Sequence, residues 1–189
     1  MRKAHDMTID RALLLYLLQL AEPHGLLSDV KLQQLAFLAS LQMFGQRLKG
    51  YRFEFYRFAY GAFSKDLDND LLSLRKRECV ENFTLTEKGE EAVKILEAAI
   101  EGVDTNAKII ELLKGVVTTY GVKDTGAITQ SVEAVELVLP EQPDQPSQTL
   151  PIRDVSFHSS LLVPTRIEVD GEFTLSSAVL GKLNKAMGY

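Results

Sequence analysis

The chain has 189 residues, 46% hydrophobic and 25% charged, with a formal net charge of −5. That balance supplies apolar mass for a buried core and excludes a disordered chain, while the negative charge argues against non-specific coating of nucleic acid. One cysteine, Cys79, excludes an intrachain disulfide framework and suits a reducing compartment. MRKAHDMTID is too polar for a signal peptide, and the apolar run Ala12 to Ala21 is too short to span a bilayer. A soluble, cytoplasmic protein with no membrane partner is expected.

Charge is unevenly spread. Residues 1–77 hold 12 Lys/Arg and 8 Asp/Glu, and residues 78–189 hold 9 and 18. A basic front half and an acidic back half suggest two faces with different partners.

Helical spacing of Leu13, Leu14, Leu17, Leu18 and Ala21 predicts a first helix over 9–21, with Thr8 as its cap and Glu22-Pro23-His24-Gly25 as its stop. Ser28 caps a second helix over 29–44, whose stripe is Leu32, Leu35, Ala36, Ala39 and Met43. Tyr51, Phe53 and Phe55 alternate with polar residues before the pattern shifts at Tyr56, which reads as an extended aromatic strand or a strand with a bulge. Ser64 caps a third helix over 65–77, and residues 79–85 form a short extended stretch with a tight turn at Glu81-Asn82. Thr86 caps a fourth helix to about Glu101, and two further helices follow over 105–120 and 125–139.

PEQPDQPSQTLP, residues 140–151, holds four prolines and three glutamines and reads as an exposed linker. Beyond it, 166–169 and 172–175 flank Asp170-Gly171, a hairpin signal, and Ser176 caps a last helix carrying Val179, Leu180, Leu183 and Met187. The expected organisation is a main domain over 1–139, the linker, and a hairpin-plus-helix appendage over 152–189. The appendage is too small for its own core, so it packs on the main domain or on another chain.

Enzyme signatures are absent from the pattern. No glycine loop cradles a phosphate, and no His or Cys pair has metal-ligand spacing, so no cofactor and no metal are expected. His5, His24 and His158 are scattered, and Cys79 sits where a short strand would bury it. Asp66, Asp68 and Asp70 alternate like a calcium loop, but the twelfth position is Arg77 instead of glutamate. Those acids suit the first turns of a helix, where they offset its dipole.

The order of elements is more informative. Helix, turn, helix, aromatic strand, helix, short hairpin, helix is the plan of a winged helix-turn-helix, an α+β and mostly helical fold. KLQQLAFL, FEFYRFAYGAFSKDLDNDLLSL and FTLTEKGEEAV together resemble the phage-associated SocA-like antitoxin family (the Panacea domain) over roughly residues 10–100. Two positions depart from that family's pattern: Gln34 stands where it usually has lysine, and Ala62 where it usually has proline. The resemblance implies a non-enzymatic protein that binds a toxin, a protease substrate or DNA.

Charge and aromatics bear on that choice. A DNA-reading third helix would present Lys65, Asn69, Arg75, Lys76 and Arg77, with Arg47, Lys49, Arg52 and Arg57 as a second basic cluster. Asp66 and Asp68 have the wrong sign near phosphate. Seven aromatics between Tyr51 and Phe63 exceed what one buried strand face uses, which leaves rings for a partner or for a homodimer. The leading expectation is therefore a stoichiometric protein binder with a cognate toxin as one candidate partner. DNA regulation through helix 65–77 and wing 79–85 is the alternative, and an enzyme comes third.

Overall fold

The computed structural model describes residues 2–25, 27–138, 148–157, 160–164 and 166–189. Its architecture follows from two helices whose middle turns are buried on every side. Residues 12–18 of α1 (Ala4–Ala21) are all buried, as are residues 31–40 of α2 (Asp29–Gly45). Apolar residues all round a helix have to be surrounded, and the few polar ones among them need partners. Accordingly α1 is packed by α3 (Lys65–Lys76), α4 (Glu87–Ile100), α5 (Asp104–Tyr120) and α7 (Ser177–Met187), while α2 is packed by α5 and α6 (Thr125–Glu133). The protein is α+β and mostly helical, and no helix among the described residues is long and apolar enough to cross a membrane.

Strands are short and local. β1 (Leu48–Lys49) precedes an extended segment that buries Tyr51 and Phe53, and β2 (Phe55–Phe58) pairs antiparallel with β3 (Gly61–Phe63). The register irregularity falls between Phe55 and Tyr56, where the alternation of the sequence shifts. β4 (Val80–Glu81) and β5 (Thr84–Leu85) form a small hairpin directly after α3, its turn at Asn82-Phe83 with Asn82 left-handed at φ 56°. Asparagine tolerates that conformation better than most side chains.

Several boundaries differ from expectation. α1 starts at Ala4, because the Asp6 carboxylate accepts from the Lys3 amide at 3.0 Å and closes the first turn there. Thr8 is inside the helix, its hydroxyl 3.1 Å from the Ala4 carbonyl and 2.8 Å from Asn184 Oδ1 on α7. α6 ends at Glu133, and β6 (Glu136–Val138) pairs with β7 (Thr149–Pro151), so 134–138 is not helical as expected and the linker's last residues are a strand. Most of the Pro/Gln stretch lies outside the described residues.

Nor is Asp170-Gly171 a hairpin turn. β8 (Leu161–Val163) joins the β2 edge, and β9 (Gly171–Glu172) lies parallel to β1. The amide of Asp170 donates to Arg47 O at 2.7 Å and that of Phe173 to Lys49 O at 2.8 Å. A Cβ on Gly171 would come within 2.9 Å of Thr105 Cγ2, so the glycine serves close approach instead of a turn. Asn106 holds Thr174 with its side-chain amide, Nδ2 donating to Thr174 O at 2.8 Å and Oδ1 accepting from Thr174 N at 3.1 Å.

The tail shares the core. Ile152, Val163, Phe173, Leu183 and Met187 are fully or almost fully buried in the cluster that contains α1 and α2. Tyr189 finishes this packing with its ring between two guanidinium groups, Arg11 at 4.1 Å and Arg77 at 3.9 Å. Truncating one of these anchors should therefore unsettle the whole molecule. Phe173→Ala is expected to cost about 3–5 kcal/mol in urea unfolding, and a loss below 1 kcal/mol would mean that the tail is peripheral.

Candidate partner-binding surface

The surface is built from the first turns of α2. Lys31, Gln33 and Gln34 are polar yet almost fully buried, and each has a backbone partner. Lys31 Nζ donates to Gly121 O at 2.7 Å, capping the end of α5; burial pulls its pKa down, against the opposing pull of Asp124. Gln33 Nε2 donates to Ser64 O at 3.1 Å, and its Oε1 accepts from Ser64 N at 2.9 Å. Gln34 does the same for Ala62, with both contacts at 3.0 Å.

Two side-chain amides thus stand in for a neighbouring strand along residues 62–64. They satisfy backbone groups that would otherwise be buried without partners, and they close that stretch of edge to further pairing. The arrangement needs Gly61, which is left-handed at φ 91° and whose Cβ would lie 2.4 Å from Gln34 Oε1. It also joins the two positions at which the sequence departs from the SocA-like pattern. Proline at 62 would have no N–H to give to Gln34.

With its backbone held, the β2–β3 hairpin divides its rings by face. Tyr51, Phe53 and Phe55 point inward, and Phe55 meets Phe37 edge-on at 5.4 Å. Tyr56, Phe58 and Tyr60 are exposed at 37%, 42% and 60%. Phe58 and Phe63 lie against each other with centroids 5.2 Å apart. Beside them a pocket of about 210 Å³ is lined by Val30, Phe58, Tyr60 and Phe63, with Asp29 and Asp68 at its mouth. Ser64 caps α3 by accepting from Leu67 N at 3.3 Å, which fixes Asp68 in the first turn.

The basic candidates are scattered and mostly occupied. Arg52 is buried and donates to Gly50 O at 2.6 Å and Phe173 O at 2.7 Å, and Arg57 donates to the Phe58 and Gly61 carbonyls and pairs with Glu133. Lys49 is also buried, and Arg47 pairs with Asp170 at 2.9 Å. The second basic cluster is therefore not a free face, because these cations hold turns and the tail together. On α3, Arg75 donates to Asn82 O at 3.0 Å, lies over Phe83, and reaches Asp29 at 3.4 Å. Arg77 stacks on Tyr189, and Lys65 pairs with Asp68 at 3.3 Å. Asn69 and Lys76 are exposed.

Asp70 is no surface acid. Buried between α1 and α3, it accepts from Arg2 at 2.6 Å and Arg11 at 2.8 Å. Arg2 also reaches Asp10 at 2.8 Å, and Asp10 accepts from the Arg52 amide at 2.9 Å. Burial pushes the Asp10 carboxyl up to about 6, against the pull of Arg2 and Arg52. His5 is exposed 3.3 Å from Asp6, His158 lies outside the described residues, and Cys79 is fully buried with burial raising its thiol pKa. No group of three or more His, Cys, Asp or Glu among the described residues is arranged to hold a metal ion.

Sequence reasoning located the aromatic run and missed Gln33, Gln34, Arg2 and Asp10. A signal existed for the first pair: two glutamines inside an otherwise apolar helix have to find buried partners. No family model, curated protein or solved structure matches the chain.

Two stability tests follow from this geometry. Gln34→Leu leaves the Ala62 N–H and C=O without partners and is expected to cost about 2–4 kcal/mol; Gln34→Lys with Ala62→Pro should cost less than the sum of its single changes in a double-mutant cycle. For Asp10, the folded pKa lies above the unfolded value, so between about pH 4 and pH 6 the fold holds a proton that the unfolded chain has released. Stability relative to Asp10→Asn should therefore fall as pH rises through that window, by up to about 3 kcal/mol. A difference that stays flat or climbs contradicts the assignment.

Proposed function

We propose that the chain is a non-catalytic winged-helix module that binds a protein partner stoichiometrically, in the manner expected of the SocA-like antitoxins and adaptors it resembles. The order α2, β2–β3, α3, β4–β5, α4 supports the winged-helix reading, with β4–β5 as the wing beside α3. One observation carries the role. Three exposed aromatic residues, Tyr56, Phe58 and Tyr60, stand on a hairpin whose backbone is pinned by buried glutamines. Rigid aromatic anchors of this kind supply binding energy at small entropic cost. The mechanism is surface complementarity, with no bond made or broken.

DNA binding is the weaker reading. Of the expected cations, Arg52 and Arg57 are buried, Arg77 is stacked, and Lys65 and Arg75 lie against aspartates. Lys76 and Asn69 remain exposed on α3, but Asp66 and Asp68 share its first turn. Carboxylates there repel phosphate instead of releasing counterions.

Co-purification with the product of the adjacent gene is expected, and Phe58→Ser with Tyr60→Ser should weaken that complex at least about tenfold. A complex indifferent to both changes rejects the aromatic face. In a shift assay with the gene's own upstream DNA at two salt concentrations, no salt-dependent complex is expected. If one forms and Arg75→Ala with Lys76→Ala flattens its salt slope, the regulator reading replaces this one.

A further inference from the structure

The pocket beside the exposed rings has a chemistry more specific than an apolar patch. We propose that it receives one cationic side chain, arginine or lysine, from the protein partner; this rests on the protein-binding reading above. At about 210 Å³ it is smaller than the ~300–1,000 Å³ of small-molecule sites and suits a single side chain. Its walls are Phe58, Tyr60 and Phe63, with Phe58 and Phe63 inclined at 34° to each other. Aromatic faces are electron-rich and attract cations, guanidinium above all.

Electrostatics at the mouth point the same way. Asp29 and Asp68 have side chains 67% and 45% exposed, and no lysine or arginine lines the pocket. The amides deeper in, on Gln33 and Gln34, are already bonded to backbone, so they offer an anion little. Each aspartate sits in the first turn of a helix, α2 or α3, whose N-terminus contributes roughly half a positive charge. A full carboxylate outweighs that, so each aspartate remains an acceptor for a cation. Lys65 pairs with Asp68 at 3.3 Å and Arg75, also held by Asn82 O and Phe83, reaches Asp29 at 3.4 Å, and an incoming cation competes with these exposed pairs.

The test uses the full chain and small probes. Aromatic-ring NMR shifts are followed on adding N-acetyl-arginine amide, and separately its neutral isostere N-acetyl-citrulline amide. Saturable shifts at Phe58, Tyr60 and Phe63 are expected with the arginine probe and not with citrulline. Asp29→Asn with Asp68→Asn should weaken the arginine response about tenfold while leaving the amide spectrum intact. Tyr60→Leu, which keeps apolar bulk and removes a π face, should weaken it as well.

Equal responses to the two probes, or no saturable response to arginine, overturn the proposal. Its failure is separable from that of the protein-binding reading. If the adjacent-gene product binds, is lost on changing Phe58 and Tyr60, yet ignores the carboxylate change, protein binding stands and the cationic anchor falls. If that product never binds while the arginine probe does, the pocket chemistry is supported and the partner assignment falls.

Discussion

The exchange between two consecutive glutamines and two alternate backbone residues governs what this protein presents to its surroundings. Gln33 holds Ser64 and Gln34 holds Ala62, each by donating and accepting at once. Helix periodicity puts the two amides about 100° apart on α2, and strand periodicity sets their partners two residues apart. Few arrangements meet both spacings, so the hairpin has one position against the helix. From it follow the outward direction of Phe58 and Tyr60, the capping of α3 by Ser64, and the place of Asp68 beside the pocket.

Positive charge in the first half of the chain is consumed in a different task. Arg2, Arg11 and Arg52 surround Asp10 and Asp70 between α1, α3 and the segment after β1. A buried carboxylate without such partners would be costly, and an arginine offers several donors in a fixed plane to prevent that. Part of the basic half is thus an internal scaffold. What reaches the surface near α3 is mixed in sign, with Lys65 and Arg75 against Asp68 and Asp29. Under the proposed reading, that mixture meets a shaped protein surface; a uniform polyanion would be repelled by the two aspartates.

The tail completes the body of the fold. Phe173 enters the core through a short parallel pairing with β1, and Arg52 grips its carbonyl. α7 then covers α1 and α4, burying Leu183 and Met187. Anything bound at the β2–β3 face therefore meets a platform whose first and last segments are locked together, and rigid platforms lose little entropy on binding.

Local chemistry was enough to determine much of this from sequence alone. Ser28, Ser64, Thr86 and Ser176 each cap the helix expected of them, because a hydroxyl at that position finds a first-turn amide whatever else packs nearby. The extended aromatic run was legible too, although burial keeps alternating through Phe55, Tyr56, Arg57 and Phe58, so the extra rings mark an outer face. Tertiary structure alone decided where lone polar groups found partners across the chain. Thr8, inside α1, faces Asn184; Asp170-Gly171 passes over Leu48 and Thr105 instead of turning; and Arg2 and Arg11 turn inward to Asp70 on α3. Such pairings link residues far apart in sequence, and no local pattern encodes them, because their energy exists only once the apolar faces have brought the groups together.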